Sequence, residues 1–486
     1  MIINLQELIA LLPFLILLLT VVIVILSISY NRNHFFIAFL TIISLIVSLC
    51  SLYFLIAIVP IDITSLFHIT KRSILYISMI IISSIATCVF AYPWLLKYAF
   101  NKEEFYLLTL ISTLGAIFLT ISNHMASLFI SVELMSLPIF GLIAYSNSQK
   151  YSLEASFKYL VLSGVSSSFL LLGISWIYAI SGNLSLLCLN QIFSDLSNSE
   201  KMMVLFGIIM VLMSFFFKLS MVPFHLWTAD IYQGTPASVL SFFSVSGKIA
   251  IFSILLYFFS YFSVFDNKVI FLILSLISFF SILFGNLMAI FQTNIKRFFG
   301  YSSISQIGYL LIILLVSKDE YFFSVQTGGI FLLNYLCTNI VYFGVINLFS
   351  NSCDYDIDSI HLYKGLFWVQ PLLASIVTIV LLSLGGIPIT LGFFGKFCIF
   401  SIIIKNHLWT IGASFLIGTI LGLYGYLRLI VNMYLNPSEQ SFINDIKKSN
   451  FWLCSPSGIL IFISGIMLLI LGIYPNPLIN LINSVQ

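Results

Sequence analysis

Long apolar runs alternate with short polar breaks along the whole chain, and the runs predict the fold. Fourteen of them approach the roughly 20 residues a helix needs to cross a hydrocarbon core. They lie near 8–28, 35–58, 73–93, 104–122, 126–146, 156–180, 202–223, 238–260, 269–291, 300–317, 325–349, 370–403, 410–434 and 456–475. The twelfth is too long for one straight span, and its Leu384-Gly385-Gly386-Ile387-Pro388 stretch predicts a broken helix. Pro223, after Lys218, predicts a similar break at the end of the seventh. The longest connections, near 350–369 and 435–455, are too short for a soluble domain. The first run, Leu8 to Ser27, has no basic residue before it and no small-residue cleavage site after it, so it reads as a retained membrane helix. The pattern predicts an all-α integral membrane protein with about fourteen transmembrane helices, solvated by a lipid bilayer.

Composition sharpens this picture. Of 486 residues, 60% are hydrophobic and 8% charged, against about 25% charged in a soluble domain. That balance excludes a soluble enzyme, a disordered chain, a nucleic-acid binder and a disulfide-stapled secreted domain. The net charge of +3 says little about partners. The seven cysteines include no C-x-x-C pair and lie mostly in apolar runs, where cysteine acts as a small hydrophobe. Odd-numbered loops hold nine basic residues (Arg32, Lys97, Lys102, Lys150, Lys296, Arg297, Lys364, Lys447, Lys448) and even-numbered loops six (Lys71, Arg72, Lys201, Lys268, Lys318, Lys405). The excess sets odd loops in the cytoplasm and both termini on the periplasmic side.

The charges inside the runs carry the functional signal. Six remain when loops and span ends are removed: Glu133, Lys158, Lys218, Lys248, Lys396 and Arg428. Each costs roughly 2.5–3.5 kcal/mol at a helix centre, roughly 15–20 kcal/mol in total. Lys158, one turn after Glu154, has a bland reading as half of a surface i,i+4 pair. Arg428 can likewise snorkel to the headgroups. Lys248 follows Ser238, Ser241 and Ser244 on one stripe, which reads as a wet path rather than packing. Lys218 and Lys396 sit beside helix breaks, where freed backbone groups admit water. Glu133 is the one deep carboxylate, and its simplest role is as counter-ion to a lysine.

His225 and Asp230 fall in the connection after Lys218. A histidine there can pass a proton, against a bland reading as a surface loop residue. Tyr424, one turn before Arg428, is expected to share a cavity with it. His34, His68, His124, His361 and His407 read as interfacial, and Asp354, Asp356 and Asp358 as a solvated acidic loop. Ser214-Phe215-Phe216-Phe217-Lys218 and Gly392-Phe393-Phe394-Gly395-Lys396 hint at an internal repeat of the kind transporters use. No phosphate-binding loop, dinucleotide fingerprint or metal-ligand motif is present.

The segments V-E-L-M-S-L-P (132–138), F-K-L-S-M-V-P-F-H-L-W-T-A-D (217–230), N-I-K-R-F-F-G-Y-S-S (294–303) and L-S-L-G-G-I-P-I-T-L-G-F-F-G-K-F (382–397) resemble the antiporter-like membrane subunits of proton-pumping NADH:quinone oxidoreductase, respiratory complex I. The resemblance runs from the first span to the last. It implies two inverted five-helix repeats, 101–262 (spans four to eight) and 263–436 (spans nine to thirteen), with broken seventh and twelfth helices. These are flanked by a three-helix segment, 1–100, and a C-terminal loop and span, 437–486.

The resemblance also implies that Glu133 pairs with Lys218, and that Lys218, Lys248 and Lys396 carry protons, with Lys158, His225 and Tyr424 auxiliary. It implies a bacterial inner membrane and, as neighbours, antiporter-like subunit M and small subunits K and J. FMN, iron–sulfur clusters and quinone are expected in partner chains and no cofactor in this one. One departure stands out: Gln306 occupies a position where the family often has histidine, so a relay there needs a bypass through water. The nearest rival is a subunit of a multisubunit Na+/H+ antiporter, which looks similar around the same lysines. A passive structural subunit is a further alternative.

Overall fold

The computed structural model describes residues 5–98, 101–146, 150–186, 197–261, 267–318, 320–350, 358–436 and 452–484. Among them, thirteen helices are long and apolar enough to cross a membrane. The remaining span, the twelfth, is two shorter helices, Pro371–Gly385 and Leu391–Lys405. Local chemistry starts the spans where the sequence turns polar. Thr70 and Ser73 form a reciprocal cap on Lys71–Lys97, with both bonds at 3.2 Å. Asn294 accepts from the amides of Lys296 and Arg297 at 2.9 and 3.2 Å, starting Ile295–Leu315. Inside the spans, serine and threonine hydroxyls return to the carbonyl three or four residues back, as Ser83 does to Ile80 at 2.7 Å, so polar side chains are tolerated in oil.

Both expected breaks are present, and each has a backbone cause. The seventh span ends its first half, Asn198–Lys218, with Ser220 in the left-handed region, then resumes as the short helix Leu226–Gly234. The twelfth turns at Gly386, φ +80°, whose amide closes back on Leu382 at 2.9 Å. The serine-bearing eighth span is interrupted as well: Ala237–Phe243 and Ser246–Tyr261 meet at Ser244–Val245. Two small elements were not expected from the pattern. A hairpin, Ile61–Thr64 with Phe67–Ile69, joins spans two and three, and a short helix, Asn476–Ser484, follows the last span.

Burial sorts the spans into layers. The tenth and eleventh, Ile295–Leu315 and Tyr321–Ser350, are wrapped on all sides, whereas the first, Gln6–Tyr30, and the last, Pro456–Ile473, show most of their length to the outside. Apolar side chains such as Leu19, Phe35 and Ile420 cover that outer surface, as lipid solvation requires. Small residues set the closest crossings. A Cβ on Gly173 would meet the Gly207 carbonyl at 2.5 Å, and one on Gly392 would meet the Ser383 carbonyl at 1.9 Å. The second contact holds the two halves of the twelfth span together.

Gly392→Val is therefore expected to abolish accumulation of the folded protein. Gly164→Ala, where an added Cβ meets nothing within 4 Å, is expected to be neutral or to stabilise by up to about 1 kcal/mol. Native gels and thermal melts of detergent extracts read both, and a stable Gly392→Val protein contradicts the packing argument.

Candidate functional site

Among the described residues four lysines are buried, and three of them, Lys218, Lys248 and Lys396, lie at or beside a break in their own span. Lys218 is the last residue of its half-span and donates to the Ser163 hydroxyl at 2.5 Å, with the Tyr159 ring 5.8 Å away. Lys248 follows the Ser244–Val245 interruption and reaches the hydroxyls of Tyr335 at 3.2 Å and Tyr232 at 3.4 Å. Lys396 donates to the carbonyls of Leu384 at 2.6 Å and Gly385 at 3.1 Å, with the Tyr309 ring 5.3 Å away. Those carbonyls end Pro371–Gly385, so the ammonium caps the negative end of a helix dipole. The break supplies the ligands that make a cation tolerable there.

Glu133 lies near Lys218 and acts on it electrostatically, yet the two make no ion pair within 4.0 Å. Its Oε1 is buried without a hydrogen-bond partner. The structure therefore holds the carboxylate and the amine apart, with Ser163 standing in as the lysine's partner. A small cavity, with room for a water molecule, is lined by both Lys218 and Lys248 together with Tyr159, Trp227 and Tyr232. The serine stripe is buried: Ser241 lies 3.1 Å from Thr87 of the third span, and the hydroxyls of Ser238 and Ser244 have no protein partner. Gln306 bridges toward Lys396, its amide nitrogen lying 3.5 Å from the Leu384 carbonyl and 3.4 Å from the Tyr426 hydroxyl.

The other candidates are placed differently. Lys158 is a partly exposed surface cation, held by Glu154 at 2.6 Å and by Asp230 at 2.7 Å. The i,i+4 pair is present, but the carboxylate of Asp230 completes it. His225 is 6% exposed, with its ring against Phe284, so the surface-loop reading is corrected: the chain folds over it. Asp230 is helical, within Leu226–Gly234. Tyr424 is 60% exposed on the outer surface, and Arg428, one turn on, is exposed too, its guanidinium donating to the Ile290 carbonyl at 2.5 Å, so the expected shared cavity is corrected to a shared outer face. Tyr426, two residues on, is the buried one. Asp354 and Asp356 of the acidic loop lie outside the described residues.

Sequence reasoning missed the neutral partners of the charges. Tyr232, Tyr309, Tyr335 and Tyr426 are fully buried around the lysines, and Asn334 accepts from Ser383 at 2.6 Å beside the twelfth break. The available signal was a tyrosine or asparagine inside a span, which is weak among 24 tyrosines.

Interrupted membrane helices with buried amines at or beside their breaks are the layout of an ion-translocating membrane subunit, the class to which the similarity of this chain to known proteins also leads. The family model for the membrane region of NADH:quinone oxidoreductase and Mrp antiporters matches residues 122–422. The NADH-quinone oxidoreductase subunit N of Buchnera aphidicola subsp. Acyrthosiphon pisum (strain APS) is 64% identical over 99% of both chains. Respiratory complex I from Thermus thermophilus contains a chain with TM-score 0.80 and 25% identity, covering 96% of this chain and 98% of that one. The Mrp complex of Dietzia sp. DQ12-45-1b contains one with the same fold, TM-score 0.82 and 19% identity, covering 99% and 97%. The chain belongs to the NADH:quinone oxidoreductase/Mrp antiporter membrane-subunit family.

The two tyrosines give a stability test. Tyr426→Phe leaves the buried Gln306 amide short of a partner and is expected to cost about 1–3 kcal/mol. Tyr424→Phe, on the outer surface, is expected to stay within about 0.5 kcal/mol of the parent. Thermal melts decide, and a reversed order shows that the helix faces are assigned wrongly.

Proposed function

We propose that the chain is a membrane-arm subunit of NADH:quinone oxidoreductase and that it moves protons across the membrane, driven by electron transfer from NADH to quinone in partner subunits. The observation that carries this reading is the row of buried amines, each lodged at or beside a helix break. As an enzyme the complex is a translocase, and this chain is its proton-carrying part without a redox centre.

In this reading Lys218 and Glu133 form a switchable pair. When the carboxylate is close, the charged amine is favoured. When it withdraws, a buried amine without a counter-ion disfavours its charge by roughly 4–7 kcal/mol. Moving one charge against about 150 mV costs roughly 3.5 kcal/mol. Opening the pair therefore supplies enough swing to drive the proton onward. Lys218 passes it through the shared cavity to Lys248, and then by way of water, Tyr335 and Gln306 to Lys396. Glutamine holds water by hydrogen bonds without titrating, so it conducts only as a scaffold. Lys158 and His225 bias the uptake side, and the groups titrate as one network.

The finer assignments belong to the same proposal. Residues 101–262 and 263–436 are the two repeats, and both termini face the periplasm of a bacterial inner membrane. Subunits M, K and J are the membrane neighbours, and the FMN, iron–sulfur clusters and quinone sit in partner chains. The 64% identity to a subunit N is the ground for proposing the complex I setting, and the excess of basic residues in odd-numbered loops is the ground for the orientation.

Lys218→Ala in the assembled complex is expected to slow pumping-coupled NADH oxidation by up to about 400-fold, the equivalent of the roughly 3.5 kcal/mol swing it removes. Inverted vesicles with a pH-sensitive dye and a parallel NADH assay measure it. Unchanged protons per electron sink the central role of Lys218. A Glu133→Gln/Lys218→Met double variant that pumps normally identifies the pair as a structural lock. Pumping that follows Na+ instead of NADH favours the antiporter reading.

A further inference from the structure

One motif of the chain is left unused by this pathway: the N-I-K-R segment that starts the tenth span. Lys296 reads as a loop cation in the sequence, yet it is 2% exposed and among the largest fully buried side chains. An ammonium so deeply covered needs strong ligands. It donates to the Thr235 carbonyl at 3.0 Å and pairs with Asp358 at 3.2 Å. Thr235 caps the C-terminal end of Leu226–Gly234, where unpaired carbonyls attract a cation. The next residue, Arg297, grips the same short helix, at Gln233 (3.1 Å) and Asp230 (3.4 Å). One turn on, Gly300 makes room for the Tyr232 ring, which an added Cβ would meet at 3.3 Å.

Thus the first turn and a half of the tenth span touches this helix at positions 230, 232, 233 and 235. The helix in turn presents the Tyr232 hydroxyl to Lys248. The anchoring aspartate is itself fixed. Its backbone carbonyl accepts from Ile295 at 2.7 Å, and Ile360 bonds back to Thr293 at 3.0 Å.

We propose that Lys296 and Asp358 form a positioning clamp: they bind the second half of the broken seventh span to the second repeat and thereby hold Tyr232 against Lys248. This deepens the proton-translocation reading and rests on it. The clamp joins three separate stretches of chain, so a shift in one of them is felt at Lys248 without any direct contact to it. Asp230 extends the link to the sixth span, because it also binds Lys158.

The test uses the intact complex in inverted vesicles, with Lys218→Ala as control. Replacing both members of a buried ion pair is often neutral for folding, so Lys296→Met/Asp358→Asn is expected to assemble at parental levels. Its pumping per electron is expected to fall about two- to thirtyfold, the range for a lost coupling contact. Asp358→Glu is expected to retain pumping where Asp358→Asn loses it. Hydrogen–deuterium exchange is expected to rise at the amides of residues 228–235 in the double variant and in Asp358→Asn. A double variant that assembles and pumps like the parent overturns the proposal, as does unchanged exchange at 228–235. Should the double variant not assemble, Asp358→Asn alone decides by the same two readouts. A Lys218→Ala complex that pumps normally condemns the translocation reading instead, and the exchange data then judge the clamp by themselves.

Discussion

The structure depends on one constraint: an ammonium ion in hydrocarbon must be given ligands by the protein, because water is scarce there. A continuous helix has no carbonyls to spare, since all are spent on its own ladder. A broken helix does. Lys396 takes two carbonyls from the end of its own half-span, and Lys296 takes one from the end of another. Lys218 and Lys248 use hydroxyls instead, beside the breaks in spans seven and eight. The interruptions are therefore not defects in the spans. They are the places where a cation can be stored.

The same constraint explains why neutral polar residues gather around the cations. Tyr232, Tyr335, Tyr309 and Tyr426 offer ring faces or hydroxyls without adding a charge of their own. The buried hydroxyls of Ser238 and Ser244 and Oε1 of Glu133 add polar atoms without a protein partner to the same interior. Glu133 stands apart from Lys218, and the Ser163 hydroxyl serves the ammonium in its place.

Much of the site was legible in one dimension. A lysine in an apolar run stands out against its neighbours, so Lys218, Lys248 and Lys396 could be picked without a structure, and Pro223 and Gly386 marked breaks beside two of them. Tyrosine does not stand out, because it is half apolar and common in this chain. Lys296 was hidden for the opposite reason: it lies at a span end, where a cation is ordinary, and only the chain folded over it makes it a buried group. The interruption at Ser244–Val245 carries no proline or glycine of its own, so only the backbone reveals it.

The sequence alone determined the number of spans, the broken twelfth helix and three of the buried amines, Lys218, Lys248 and Lys396, because each follows from transfer free energy counted along the chain; that count also picked Lys158 and Arg428, which lie at the surface, and passed over Lys296. Tertiary structure decided which way those spans face. Tyr424 and Tyr426 are two residues apart on one helix, and a rotation of about 100° per residue puts them on opposite sides. Which side meets the buried lysines is set by packing between spans, at contacts such as Gly173 on Gly207 and Gly392 on Ser383, whose partners lie far apart in the chain.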